Sequence, residues 1–187
     1  MMHDGDINEY FEWLKEADLI GCDTENNGTV NLAELWSGLY YGIGISTAIR
    51  RDTEIYSRYF PFRHSADNLD KRYLESLKRI LEVKQLGFHN IFIDIATMET
   101  FGITISIPPY DTITLAHLVN EEFPSKELDW LGKFILKEGK DDSKLKRWTE
   151  NAGWDEDIPV KLMTPYACQD SELQLRLMEI FLEEMQP

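Results

Sequence analysis

After a short N-terminal helical stretch, the hydrophobic period of this chain changes from that of strands to that of helices, and that change narrows the folds open to it. From residue 19 to about residue 62 the apolar residues alternate or run together in short blocks. From residue 69 onward they recur at three and four. Residues 19–23 (LIGCD), 39–48 (LYYGIGISTA) and 54–62 (EIYSRYFPF) read as strands, with a turn at Arg50-Arg51-Asp52. In the third run Ile55, Ser57 and Tyr59 share one face, and Tyr56, Arg58 and Phe60 the other. A short amphipathic helix over 6–18, carrying Ile7, Tyr10, Phe11 and Leu14, precedes this meander. After the change the spacing predicts a helix over 69–81, a strand over 83–88 and a helix over 89–101 closed by Gly102. Pro108-Pro109 breaks the chain. Tyr110-Asp111-Thr112 then leads into a helix through Val119, and residues 127–137 form another. Residues 138–163 are polar and read as loop with a short helix. Thr164-Pro165 has the form of an N-cap followed by proline at the first helical position, opening a last helix that runs to about Glu184. Three antiparallel strands followed by alternating helices and strands predict an α/β fold, a mixed sheet with helices on both faces.

At 187 residues, with 43% hydrophobic and 12% aromatic residues, the chain is long enough for one domain with a substantial core. No apolar run approaches the ~20 residues needed to span a bilayer. The acidic start lacks a basic-then-apolar signal, so a cytoplasmic protein is expected, without membrane contact. Cys22 and Cys168 are too few for a disulfide scaffold and read as buried thiols. His3, His64, His89 and His117 show no metal spacing. The net charge of −15 speaks against nucleic-acid binding, but its distribution is uneven. Residues 1–27 and 150–187 each carry −7, and residues 126–147 hold seven Lys/Arg against five acids. The pattern has two readings: solvated acidic faces, or terminal acids that converge on a cation site.

Four acids stand out by position. Asp23 and Glu25 lie at the end of the first strand, and their i, i+2 spacing points both side chains to one face. Two oxygen donors so placed suit a hard divalent cation such as Mg²⁺ or Mn²⁺. Asp94 and Asp170 lie in the first turns of two helices, where an acid can also simply compensate the helix dipole. Asn90 precedes Asp94 by four, and Tyr166 precedes Asp170 by four, so each pair is expected to share a helix face. The Tyr166 hydroxyl could then orient or help deprotonate a water beside Asp170.

In this order, Asp23-Thr24-Glu25, then Asn90 to Asp94, then Tyr166 to Asp170, the residues resemble the three motifs of the DnaQ-like 3′–5′ exonucleases of the tyrosine subgroup. Tyr110-Asp111-Thr112 with Leu115, Leu118 and Val119, then Leu128-Asp129-Trp130-Leu131, resembles the matching stretch of proofreading domains in family A DNA polymerases. The similarity runs from about residue 17 to 182. It implies a ribonuclease H-like fold and a single exonuclease domain over 1–187, with no polymerase domain in this chain. The stretch after Glu25, Asn26-Asn27-Gly28-Thr29, departs from the family's run toward an apolar wedge residue that splays the last bases.

The resemblance further implies a metal-dependent enzyme that hydrolyses phosphodiester bonds at single-stranded DNA 3′ ends. Two Mg²⁺ or Mn²⁺ ions would be held by Asp23, Glu25, Asp94 and Asp170, with Tyr166 orienting the water. Asn90 and Thr24 would meet the substrate. Lys133, Lys137, Lys140, Lys144, Lys146 and Arg147 are expected along the strand's approach, the last three as substrate-binding residues. Trp148 and Trp154 are candidates for base stacking. The acidic surface suggests a basic partner, such as a separately encoded DNA polymerase. Two other functions stay open: an RNA-trimming exonuclease of the RNase D kind, and an inert exonuclease-like module that binds a polymerase.

Overall fold

The structure, a computed structural model, describes residues 6–28 and 38–186. Helix α1 (Ile7–Glu16) leads into β1 (Leu19–Asn26), β2 (Gly42–Arg51) and β3 (Glu54–Pro61). Then follow α2 (Lys71–Leu81), β4 (Gln85–Phe88), α3 (Ile91–Thr100), β5 (Tyr110–Asp111) and α4 (Thr112–Val119). The chain closes with α5 (Leu128–Leu131), which runs into a π-helical turn over Gly132–Leu136, then α6 (Ser143–Ala152) and the long α7 (Val160–Glu184). The sheet order is β3-β2-β1-β4-β5. β1 to β3 are antiparallel neighbours, and β4 and β5 add on parallel to β1. The expected mixed sheet is therefore present, with helices on both faces. Its fifth strand has two residues, too few to show a period, and the sequence placed Tyr110-Asp111 only as a helix entry.

The two faces take their side chains alternately from the same strands. Ile20, Cys22, Ile45, Ile49, Phe60, Leu86 and Phe88 point toward α1, α2 and α3 and form a dry core with Phe11, Leu14, Leu77 and Met98. Gly21, Asp23 and Glu25 point the other way, toward α7. That helix can lie against β1 only because position 21 has no side chain. A Cβ at Gly21 would sit 2.5 Å from the Ser171 carbonyl oxygen. Gly21 pairs across the sheet with Gly87 on β4, where a Cβ would collide with Met178. The paired glycines form a trough for α7, and its depth sets how near Asp170 comes to Asp23.

Several boundaries differ from the sequence expectation. The second strand covers 42–51 and not 39–48, so Arg50 and Arg51 belong to the strand and the turn falls at Asp52-Thr53, where Asp52 takes a positive φ of +52°. The last helix starts at Val160, behind Pro159, and not at Thr164-Pro165. Thr164 is an interior residue that turns its hydroxyl back onto the Val160 carbonyl, 2.7 Å away, and Pro165 lies inside the helix. Pro159, in the N-cap position, marks the start of the helix instead. Residues 127–137 are part α-helix and part π-helical turn, which ends with Lys137 in the left-handed region at φ +60°. Asn90 also adopts a positive φ, +67°, and stands before α3, not on it.

Candidate active site

The site gathers at the end of β1 from three directions. β1 itself brings Asp23 and Glu25. α3 brings Asp94 from the dry face, and α7 brings Tyr166 and Asp170 from the other.

Three of the four acids are fastened by a neighbour. Gln174 Nε2 donates to Asp23 Oδ1 at 2.9 Å. Asp94 Oδ1 accepts from Thr24 twice, from the backbone N–H at 3.1 Å and from Oγ1 at 2.7 Å. Asp170 Oδ2 accepts from the Lys140 ammonium at 2.6 Å. Glu25, Asp94 and Asp170 are each only 4% exposed. Two carboxylate oxygens among them, Glu25 Oε1 and Asp170 Oδ1, are buried and have no hydrogen-bond partner. A buried carboxylate oxygen left without a donor is costly unless a cation faces it.

The electrostatics agree. Burial, and then the neighbouring Asp170 carboxylate, push the Asp23 carboxyl up to about 7. Burial and Asp23 raise Glu25 well above the usual carboxylate range, and the same two causes raise Asp94. Asp170 is raised by burial, while Lys140 opposes the rise. Acids pushed together in a poorly solvated place need positive charge to ionise. As the side chains stand, no three His, Cys, Asp or Glu among the described residues are gathered so as to hold one ion together. The donor chemistry, carboxylates with two unpartnered buried oxygens, suits a hard cation.

Tyr166 lies one turn before Asp170 on α7, as the spacing requires. Its ring meets Trp154 edge-on at 5.8 Å, and the Lys140 ammonium lies 4.5 Å from the ring centre and 3.4 Å from the hydroxyl. Burial and the nearby Asp170 drive its pKa upward, so the phenol stays protonated and can donate.

The residues expected to face the substrate lie as follows. Thr24 is buried, 8% exposed, and its hydroxyl is committed to Asp94. Asn90 does not share a helix face with Asp94, because its left-handed backbone takes it off the helical screw. It is exposed, and its N–H is held at 3.0 Å by Asp111 Oδ1. Trp154 is engaged with Tyr166 and donates to the Asn26 carbonyl at 3.1 Å, clasping the end of β1. Trp148 is half-buried, and its indole N–H is buried without a partner. Lys146 pairs with Asp142 at 2.8 Å, and Arg147 is exposed. Lys144 borders a cavity of about 250 Å³ with Leu145, Lys161, Leu162, Pro165 and Tyr166. Of the divergent stretch after Glu25, Asn26, Asn27 and Gly28 are described and Thr29 lies outside the described residues.

One site residue escaped the sequence reading: Gln174 is four past Asp170, and its polar side chain on the buried stripe of α7 was the available signal. Lys140 was expected along the strand's approach, and the structure turns it onto Asp170 instead, a course that its polar, aperiodic run did not signal.

With this geometry in hand, the comparisons with known proteins decide the family. A family model described as 3′–5′ exonuclease, that of the DNA polymerase A exonuclease domain, matches residues 3–186. The chain belongs to this 3′–5′ exonuclease family. It is an α/β exonuclease domain with a ribonuclease H-like sheet, and its activity class is that of a hydrolase. No protein of curated function matches the sequence closely enough to serve as a relative. Among solved structures, the Pol1 polymerase of M. smegmatis, in complex with DNA primer-template and dNTP, superposes with a TM-score of 0.67 at 12% identity. That match covers 98% of this chain but 27% of the Pol1 chain, so this exonuclease spans about a quarter of that structure's length. Brucella melitensis NrnC with bound Mg²⁺ gives 0.59 at 17% identity, covering 91% of this chain and 75% of NrnC. Escherichia coli RNase D, an exoribonuclease involved in structured RNA processing, gives 0.63 at 16% identity, covering 98% and 44%. No helix among the described residues is long and apolar enough to cross a membrane.

Proposed function

We propose that this domain removes nucleotides from the 3′ end of single-stranded DNA, using two divalent ions held by Asp23, Glu25, Asp94 and Asp170. The observation that carries this reading is the pair of buried, unpartnered oxygens, Glu25 Oε1 and Asp170 Oδ1, in one cluster of mutually raised carboxyls. Mg²⁺ or Mn²⁺ would supply charge neutralisation at the phosphodiester and a water acidified enough to attack near neutral pH. Asp23, at the centre of the cluster, would be the ligand shared by both ions, with Glu25 and Asp170 holding the ion that activates the attacking water and Asp94 the other. Thr24 keeps Asp94 in place, and Gln174 does the same for Asp23. The protonated Tyr166 hydroxyl orients the attacking water beside Asp170. Lys144 and the exposed Arg147 border the strand's approach, and the acidic remainder of the surface suits a basic partner such as a separately encoded polymerase.

DNA is favoured over RNA because the matching family model is that of a DNA polymerase exonuclease. The test is incubation with Mg²⁺ and 5′-labelled single strands of either sugar. A ladder that shortens from the 3′ end, faster on DNA, is expected. Faster shortening of RNA would move the protein to the RNase D kind of activity. No cleavage with any divalent ion would leave an inert module.

A further inference from the structure

Of the basic residues between 126 and 147, Lys140 is the one that turns inward, onto the acid cluster. Its side chain is 14% exposed, and that of its partner Asp170 is 6% exposed. Other lysines of the segment stay at the surface, Lys133 on Asp129 and Lys146 on Asp142. The inward course is built into the backbone. The π-helical turn over Gly132–Leu136 and the left-handed Lys137 swing the chain back toward α7. The Lys140 N–H is then caught by Asp129 Oδ1 at 3.0 Å. Gln169, the residue before Asp170, grips both sides of Lys140: its Nε2 donates to the Gly139 carbonyl at 3.1 Å, and its Oε1 accepts from the Asp141 N–H at 2.9 Å. Arg176, farther along α7, pairs with Glu138. A lysine on a loose loop would not be anchored at this many points.

The ammonium also acts beyond its direct partner. Its positive charge favours the ionised forms of Asp23 and Glu25 as well as Asp170, and it disfavours protonation of His89. It therefore lies among the acids and not at their rim.

We infer that Lys140 is a tethered internal cation that competes with the divalent ion for Asp170 and so sets the metal concentration at which the site fills. The inference rests on the proposed role of Asp170 as a metal ligand. An ammonium and a divalent ion that both seek Asp170 repel each other at short range. The tether gives the ammonium a high effective concentration at the carboxylate, which a free ion must overcome. The ion overcomes it by engaging Glu25 and Asp23 together with Asp170, which one ammonium cannot do. Lys140 thus keeps the crowded acids tolerable, and yields Asp170 when the ion arrives.

The experiment measures metal binding and stability directly, apart from turnover. Mn²⁺ is titrated calorimetrically at pH 7.5 into the full chain and into Lys140→Met, Lys140→Gln and Asp170→Asn. Losing the competitor should tighten Mn²⁺ binding about five- to twentyfold in both Lys140 variants, the scale expected when one nearby cation is removed from a partly buried site. In EDTA both Lys140 variants should also melt below the parent, because the acids then repel unscreened. Lys140→Gln keeps a polar side chain at the position should the methionine variant fold poorly. Unchanged or weaker Mn²⁺ binding in a folded Lys140 variant, while Asp170→Asn loses binding, would overturn the competition and leave the ligand assignment standing. Undiminished binding in Asp170→Asn would overturn the ligand assignment, and the competition with it.

Discussion

Tyr59 and Phe60 are neighbours on β3 and point to opposite sides of the sheet, into two different interiors. Phe60 is fully buried among Phe11, Tyr10 and Phe62, stacked on Phe11 at 5.6 Å. Tyr59 sends its hydroxyl to His64 Nε2 at 2.6 Å, and His64 reaches the Ile158 carbonyl at 2.9 Å through Nδ1. The contrast is one of proportion. On the α1, α2 and α3 side the large apolar residues dominate, and the buried polar groups are few: Thr47, held by Tyr10, and, toward the site, Thr24, Asp94 and Thr97. On the α7 side Ser46, Ser57, Ser171 and Gln174 are buried together with Glu25 and Asp170. Ser46 donates to the Ala167 carbonyl at 2.8 Å, and Ser57 to Glu172 at 2.5 Å. Apolar burial is non-directional and tolerates small shifts. Hydrogen bonds fix distance and angle. One side thus supplies the stability that the other needs to hold unfavourable charges in place.

The comparison breaks most sharply if each side is damaged in turn. Asp23→Ala should abolish hydrolysis, since the shared ligand serves both ions, while Tm stays level or rises as one crowded acid is removed. Phe60→Ala should do the reverse, costing about 3–5 kcal/mol of stability while the molecules that remain folded cut at the parent rate. Urea melts and single-turnover assays on the two variants check both. An Asp23→Ala enzyme with more than about a tenth of parental activity would end its assignment, given that removal of one catalytic group ordinarily costs on the order of a hundredfold or more.

Tyr166→Phe probes the chemical side more finely. The ring still packs on Trp154, so melting should be unchanged, and Mn²⁺ should bind as before. The rate should drop about 10- to 1000-fold, the scale of a group that positions a reacting water. A full-speed Tyr166→Phe would show that the hydroxyl does not act on the water.

The smallest effect is in pH. Asp23 has a folded pKa of about 7, raised from its ordinary carboxylate value. The folded chain therefore holds a proton that the unfolded chain has already released. The stability this gives is complete below about pH 4 and disappears as pH climbs through about 7. In EDTA, Tm should fall over that range, and Asp23→Asn should fall less steeply. Parallel melting curves for the two proteins would show that Asp23 is not the group that titrates.

What could be read from the sequence follows the same division. The dry side was legible because alternation in strands and three-four spacing in helices report burial directly, as in Tyr56 and Phe60 or Leu77 and Leu81. Asp23, Glu25 and Asp94 were legible because each sits at a place with a geometric meaning, a strand end or the early turns of a helix. Asp170 was legible only through its spacing from Tyr166, since the start of α7 at Val160 puts it in mid-helix and not in the first turns expected. Their fasteners were less so. Thr24 looked like a substrate contact, and only the approach of α3 shows that it holds Asp94. Asn90 looked like a helix residue, but whether a backbone turns left-handed depends on a receiver such as Asp111, 21 residues away. Lys140 depends on a π-helical turn, which leaves no period to read. Pro165 misled because proline at a helix start is common, whereas its place inside α7 follows from the earlier start behind Pro159.

Gln174 and Asp23, joined in the finished site, are separated by 151 positions. At a synthesis rate of about 5–20 residues per second, roughly 8–30 s pass between their appearances on the ribosome. During that interval the trough of Gly21 and Gly87 has no helix to receive, and the acid pair on β1 has no Asp170 beside it. The proposed metal site is complete only when the last long helix drops into its groove, so on that proposal a nascent chain emerges next to messenger RNA before it has the means to cut a nucleic acid.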